Sequence, residues 1–246
     1  MSANDPCFDR QGDMLSVDQA IEQLLAQATA LTDSEQIELA AAAGRVLAQD
    51  LASPIDVPGF DNSAMDGYAL HSRDIDTARA TGLPITQRIT AGSVGQRLQP
   101  GCAARIVTGA PLPAGADTVV MQEQCRVADD RVWIDTAATA GANIRPRGND
   151  IAADSIVLAR GTRLQAAHLG LAASVGIGTV EVLRRLRVGV FSTGDELVEP
   201  GRPLAPGQIY NSNRYQLNAL LAAQGCDVID LGCIVDDFNA TRDTLL

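Results

Sequence analysis

The apolar positions along this chain change period three times, and each change predicts a different kind of element. Ser16 and Gln19 make a capping-box pair, with Leu15 and Ala20 placed as a hydrophobic staple, so a helix is expected to begin there. Val17, Ala20, Ile21, Leu24 and Leu25 then fall on one helical face. Thr32 and Glu35 repeat the capping-box spacing. That predicts a second short helix over Ile37, Leu39 and the following alanines, with Gly44 at its C′ position. Residues 1–13 carry no such period and read as disordered.

From about residue 68 to 155, short runs rich in Val, Ile and Thr alternate with Gly and Pro. Arg105–Thr108, Thr118–Met121 and Arg131–Ile134 read as strands of a small β-rich unit, and Ala110–Gly115 as a stiff connector. A helical period returns in Leu164, Ala167, Leu171 and Val175 and closes at Gly176, with His168 as a partly exposed helix residue.

Beyond residue 185 the texture is strand, helix, strand. Val188–Phe191 is a short apolar strand followed by the turn Ser192-Thr193-Gly194-Asp195-Glu196. Asn211-Ser212-Asn213 can cap a helix that carries Leu217, Leu220 and Leu221 and closes at Gly225. Asp227–Ile234 is the second apolar strand. This spacing predicts a βαβ unit with a parallel strand pair. Two strands and one helix cannot bury their own faces, so the segment reads as the start of a larger α/β domain.

The expected fold is therefore a mixed α/β multidomain protein. A small helical domain (14–55 and 156–184) holds an inserted β-rich domain (56–155). The first βαβ unit of an incomplete α/β domain (185–246) follows.

Bulk composition narrows the function. A net charge of −11 disfavours a nucleic-acid surface, which needs clustered Lys and Arg. Five cysteines, scattered and odd in number, together with only two histidines (His71 and His168), disfavour a zinc site or a Cys–His nucleophile. The N-terminal residues lack the charged start and apolar core of a signal peptide, and no run of 18 apolar residues occurs. A cytoplasmic protein with reduced thiols and no membrane span is expected.

The segment 54–68 holds Asp56, Asp61 and Asp66 with two prolines and two glycines and no Lys or Arg. Aspartates five residues apart share neither a helix face nor a strand face, so they act together only if a specific loop gathers them. They serve equally well as turn formers, and both readings stay open here. Asn143–Asp150 sets Arg145 and Arg147 beside Gly148 and Asp150, a pair of guanidiniums able to fork onto an oxyanion or simply to face solvent.

Asp195 and Glu196 follow the first strand of the βαβ unit, and Asp236 and Asp237 follow the second. Ligands of open α/β sheets bind outside the carboxyl ends of the strands, and hard oxygen donors suit Mg²⁺. Solvated loop acids are the alternative. Thr108-Gly109 offers a hydroxyl at a strand-to-turn junction. No Walker motif, no nucleophile elbow and no dinucleotide fingerprint is present.

Taken in order, these motifs resemble one family. Asp56–Ala69, Thr108-Gly109-Ala110-Pro111, Val120–Glu123, Asn143–Ile151, Phe191–Leu197, Gln208–Asn213 and Asp236-Asp237 are similar to the signature segments of molybdopterin molybdenumtransferases, the MoeA-type enzymes related to the gephyrin E domain. The resemblance covers about residues 14–246. It implies insertion of molybdenum from molybdate into adenylylated molybdopterin, with release of AMP and Mg²⁺ assistance. It also implies a homodimer whose active site is shared between subunits, and molybdopterin adenylyltransferase as a further partner.

By motif match, Asp66, Thr108 and Asp150 line the site from the β-rich side, with Arg145 and Arg147 on the substrate. Ser192, Thr193 and Gly194 bind substrate from the sheet side. Glu196 and Asp236 act there in catalysis and as metal ligands. Pro146 and Asn149 depart from the family pattern, where Arg and an acidic residue are frequent, and weaken anion contacts there. Family segments expected past Leu246 are missing, so this chain alone is expected to be an inactive fragment. A non-catalytic gephyrin-like assembly module, or another enzyme of the molybdopterin-binding fold such as the adenylyltransferase or a CinA-like hydrolase, is the alternative.

Overall fold

The computed structural model describes residues 15–245. The disorder expected for residues 1–13 lies outside them. The helices are α1 (Val17–Gln27), α2 (Ile75–Thr81), α3 (Ala166–Ser174), α4 (Ser212–Ala223) and α5 (Phe238–Leu245). Strands in the first third are β1 (Ser34–Glu38), β2 (Leu51–Ala52), β3 (Asn62–Ser63) and β4 (Gly67–Leu70). The middle contains β5 (Leu83–Ile89), β6 (Ala103–Ile106), β7 (Thr118–Met121), β8 (Cys125–Ala128), β9 (Arg131–Ile134), β10 (Ile144–Arg145), β11 (Ile156–Leu158) and β12 (Thr179–Leu183). The last third adds β13 (Arg187–Thr193), β14 (Leu197–Val198), β15 (Ile209–Tyr210) and β16 (Asp227–Ile234). The chain is thus mixed α/β. It forms two compact units, Glu35–Val182 and one that joins the N-terminal residues through Ser34 to Leu183–Leu246.

The first unit is built on a six-stranded sheet in the order β7-β4-β6-β5-β9-β8. Strand alternation splits its core in two. Tyr68, Leu70, Ala103 and Val120 join one buried cluster with Ile75 and Ala78 of α2, whereas Ala69, Ala104 and Val119 join another with Ile89 and Ile106. Gly67 starts β4 because nothing larger fits: a Cβ there would lie 2.0 Å from the Val120 carbonyl oxygen. A third cluster, with Leu47, Leu51, Leu158, Leu164, Val180 and Val182, ties residues 42–51 to residues 158–182.

The second predicted helix is not formed. Residues 34–38 make strand β1, paired with β12, and a single 3-10 turn follows at Leu39–Ala41. Ile37 packs on the third cluster while Gln36 and Glu38 are exposed, which is the period of a half-buried strand. A cross-strand partner outweighs a local capping signal. Gly44 does adopt a positive φ of 77°, at a turn where its N–H donates to the Leu164 carbonyl.

The other predicted helices form where expected, whereas α2 falls within the stretch read only as β-rich. Ser16 and Gln19 close the capping box of α1, whose apolar face is exposed. In α3, His168 is half-buried and its Nδ1 accepts from the Gln165 N–H, so it caps the helix. In the second unit, β13 and β16 pair in parallel from Arg187 opposite Asp227 to Thr193 opposite Ile234, and α4 connects them.

Candidate functional site

In the first unit, three motifs far apart in sequence are zipped together. Strand β10 pairs antiparallel with β3, Ile144 opposite Ser63 and Arg145 opposite Asn62. Ser63 also exchanges backbone bonds with the 108–111 turn: its N–H donates to the Ala110 carbonyl and its carbonyl accepts from Gly109. Ala64 N–H donates to the Asn143 carbonyl, and Val57 bridges Ile151. The Asp-rich loop, the Thr108 turn and the Arg145–Asp150 loop therefore form one surface.

Asp66 ends that loop beside Thr108. One carboxylate oxygen accepts both the Thr108 backbone N–H and its hydroxyl, each at 2.7 Å. Those two bonds, and then the charge of Arg105, hold the carboxyl below the usual carboxylate range. Arg105 is itself fixed, donating to the Gly67 and Ile106 carbonyls and to Gln122 Oε1. Arg105 and Gln122 were not singled out by the sequence, because an Arg within a strand carries no local sign of its partners.

Arg145 pairs with Asp150, and Asn149 donates to the other oxygen of that carboxylate. The Asn149 amide first, and Arg145 second, hold Asp150 low. Arg147 Nε donates to Asp56, and its backbone N–H donates to Asp61 at 2.8 Å. Asp56 also takes the Ala153 N–H at 2.7 Å, the main reason its own carboxyl is held low. Asp56 and Asp61 thus build the loop. Both arginines expected to meet substrate are already paired with carboxylates, although the Arg147 side chain is 65% exposed. A groove of about 510 Å³ runs past Asp56, Phe60, Arg147 and Ser174.

The second unit carries a separate pocket of about 420 Å³ at the carboxyl end of β13. Ser192, Thr193 and Glu196 line it, together with Tyr210, Asn211 and Asn213. Gly194 is not in the lining. It has a φ of 145° and leaves room for the Glu196 carboxylate, which would lie 2.7 Å from any Cβ at that position. Asp236 sits at the end of the neighbouring strand, outside the pocket, and its N–H reaches Asp195 Oδ1 at 3.4 Å. Parallel pairing thus brings the two acidic turns to one sheet edge.

Among the described residues, no group of three or more His, Cys, Asp or Glu could hold a metal ion. Mg²⁺ needs only one or two carboxylates when a ligand supplies the other oxygens, so the donor chemistry of Glu196 and Asp236 fits it. No helix of the described residues is long and apolar enough to cross a membrane.

The segment between the acidic turn and α4 is held by a charge network. Arg214 donates to Glu199 and Asp230, Tyr215 donates to Glu199, and Asn218 donates to Asp230. Its two carboxylate partners hold Arg214 well above the usual guanidinium range. Asn211, read from sequence only as a helix cap, also contacts the Ser192–Glu196 turn: its Oδ1 accepts from the Ser192 hydroxyl at 3.2 Å.

Family models and known proteins match the chain along most of its length. Residues 15–176 match the model of the MoeA N-terminal region (domain I and II), and residues 189–246 match a probable molybdopterin binding domain. A Haemophilus influenzae molybdopterin molybdenumtransferase is 43% identical over 226 residues, which is 91% of this chain and 55% of that protein. Molybdopterin molybdenumtransferase 2 of Mycobacterium tuberculosis is 42% identical over 85% of this chain and 55% of its own length. A molybdopterin biosynthesis moeA protein from Pyrococcus horikoshii superposes with a TM-score of 0.84 at 31% identity, over 93% of this chain and 62% of that one. The chain spans about half the length of the curated relatives it matches.

Proposed function

From a chain that belongs to the MoeA family of molybdenum cofactor biosynthesis, we propose a molybdopterin molybdenumtransferase that inserts molybdenum from molybdate into adenylylated molybdopterin and releases AMP. The single observation that carries this reading is the joining of the 54–68, 108–111 and 143–151 motifs into one surface, with Asp66 locked against Thr108. A family signature spread from residue 54 to residue 151 makes functional sense when its parts meet.

On this reading, Asp66 and Asp150 present ionised carboxylates in fixed directions, and Thr108 sets the position of Asp66. Arg147 keeps N–H groups toward solvent beyond its bond to Asp56, and these donate to substrate oxyanion. Ser192 and Thr193 receive the pterin substrate at the end of β13, and Gly194 gives the Glu196 carboxylate room beside them. Glu196 and Asp236 would hold Mg²⁺, which when bound supplies charge neutralisation at the leaving phosphate. A homodimer would bring the Asp66 surface of one subunit to the β13 pocket of its partner, and an adenylyltransferase would supply the substrate. The cytoplasm is the matching compartment.

The test is direct. The protein expressed from its whole gene is mixed with adenylylated molybdopterin and molybdate, and AMP release is followed alongside reconstitution of an apo-molybdoenzyme. AMP release that depends on molybdate is expected. Protein that neither binds the adenylylated pterin nor releases AMP would remove this assignment.

A further inference from the structure

We propose that the amino end of α4 is a binding subsite for a tetrahedral oxyanion, with the Asn211 side-chain amide as its buried donor. Three observations meet there. Asn211 lines the 420 Å³ pocket, yet the residue is only 2% exposed. Its Oδ1 is taken, accepting from the Arg214 N–H and the Ser192 hydroxyl, and the Arg214 bond fixes which way the amide faces. Its Nδ2 is left with no acceptor. A buried amide donor without a partner is costly, and a ligand oxygen would relieve that cost.

The helix supplies the rest of the cradle. Ser212 and Asn213 also line the pocket and occupy the first turn of the 12-residue α4. N–H groups of a first helical turn have no intrahelical acceptor, and the dipole there favours negative charge. Glu196 also lines the pocket, and its charge opposes a bare anion. A phosphate monoester or molybdate is therefore expected to bind more tightly when a divalent cation covers that carboxylate.

This inference rests on the reading of the pocket as the substrate pocket, and it names the group that docks there. The shared chemistry is the tetrahedral oxyanion. Inorganic phosphate stands for the phosphate of the pterin, and molybdate for the metal-bearing substrate.

Each ion is titrated into the ¹⁵N-labelled chain with and without Mg²⁺, following the Asn211 side-chain amide and the Ser212 and Asn213 N–H signals. Saturable shifts at these three positions are expected, and the ion that binds more tightly identifies the source. Asn211→Asp and Asn211→Ser both keep a cap for α4, and the second adds no charge. Each is expected to weaken the preferred ion about ten-fold or more at an unchanged melting temperature. Shifts confined to Ser192–Glu196, or unchanged affinity in both variants, overturn the subsite and leave the pocket reading intact. No shift anywhere in the pocket with either ion, with or without Mg²⁺, overturns both.

Discussion

Thr108 gives both of its donors, backbone N–H and hydroxyl, to a single oxygen of Asp66. The contact spans 42 residues of sequence and fixes the last carboxylate of the Asp-rich loop to the end of β6. Asn in place of Asp66 keeps an acceptor oxygen for Thr108 and removes only the charge. Asp66→Asn is therefore expected to keep the fold, at a modestly lower melting temperature, while AMP release falls about 100-fold or more, the scale on which a positioned polar group acts in catalysis. Wild-type turnover in this variant would return Asp66 to a turn-forming role.

Acid stability follows from carboxylates held in this way. Asp56, Asp66, Asp150 and Asp230 all have carboxyls held below the ordinary value of 3.8. A group whose folded pKa lies below its unfolded one binds fewer protons when folded. Its stabilisation is complete above the unfolded value and disappears as the pH falls through the folded one. Stability is thus expected to be flat on this account above about pH 5 and to drop below about pH 4. Urea midpoints measured from pH 7 to pH 3 check this, and in Asp66→Asn the acid-side loss should be shallower.

Gly67→Ala tests the closest backbone approach in the sheet. The added methyl would fall 2.0 Å from the Val120 carbonyl oxygen in a strand paired on both sides, so β4 must separate from β7. A loss of at least about 2 kcal/mol is expected from overpacking. Trp133, the one tryptophan of the chain, lies in β9 of the same sheet, and its fluorescence reports the transition.

Asp56 anchors the 145–153 loop through Arg147 and the Ala153 N–H. Asp56→Ala leaves both donors without their acceptor. Faster amide exchange across 145–153 is expected, with the six-stranded sheet still protected. Unchanged exchange in that loop would mean that the β3–β10 pairing alone holds it.

Removing one carboxylate checks the metal assignment. Glu196→Gln is expected to abolish Mn²⁺ broadening of the Ser192–Glu196 signals, whereas Asp237→Asn, beside Asp236, leaves the broadening in place. Equal broadening in wild type and Glu196→Gln would place the cation elsewhere.

The sequence alone determined what local chemistry and period encode. The capping box at Ser16, the α4 cap at Asn211, the strands near 105, 118 and 131 and the parallel β13–β16 pair were all legible, because each depends on residues within a turn or on the side-chain period. The ordered motifs also carried the family. Tertiary structure alone decided the rest. Residues 34–38 became a strand because β12 offered a ladder that no local signal announces. Arg145 and Arg147 found carboxylate partners, one of them 91 residues away. The polarity of Asn211, visible in sequence as a cap, became an unfilled donor only when burial removed water from its amide. Local rules fix which elements can form, but long-range pairing and desolvation fix what each polar group must satisfy.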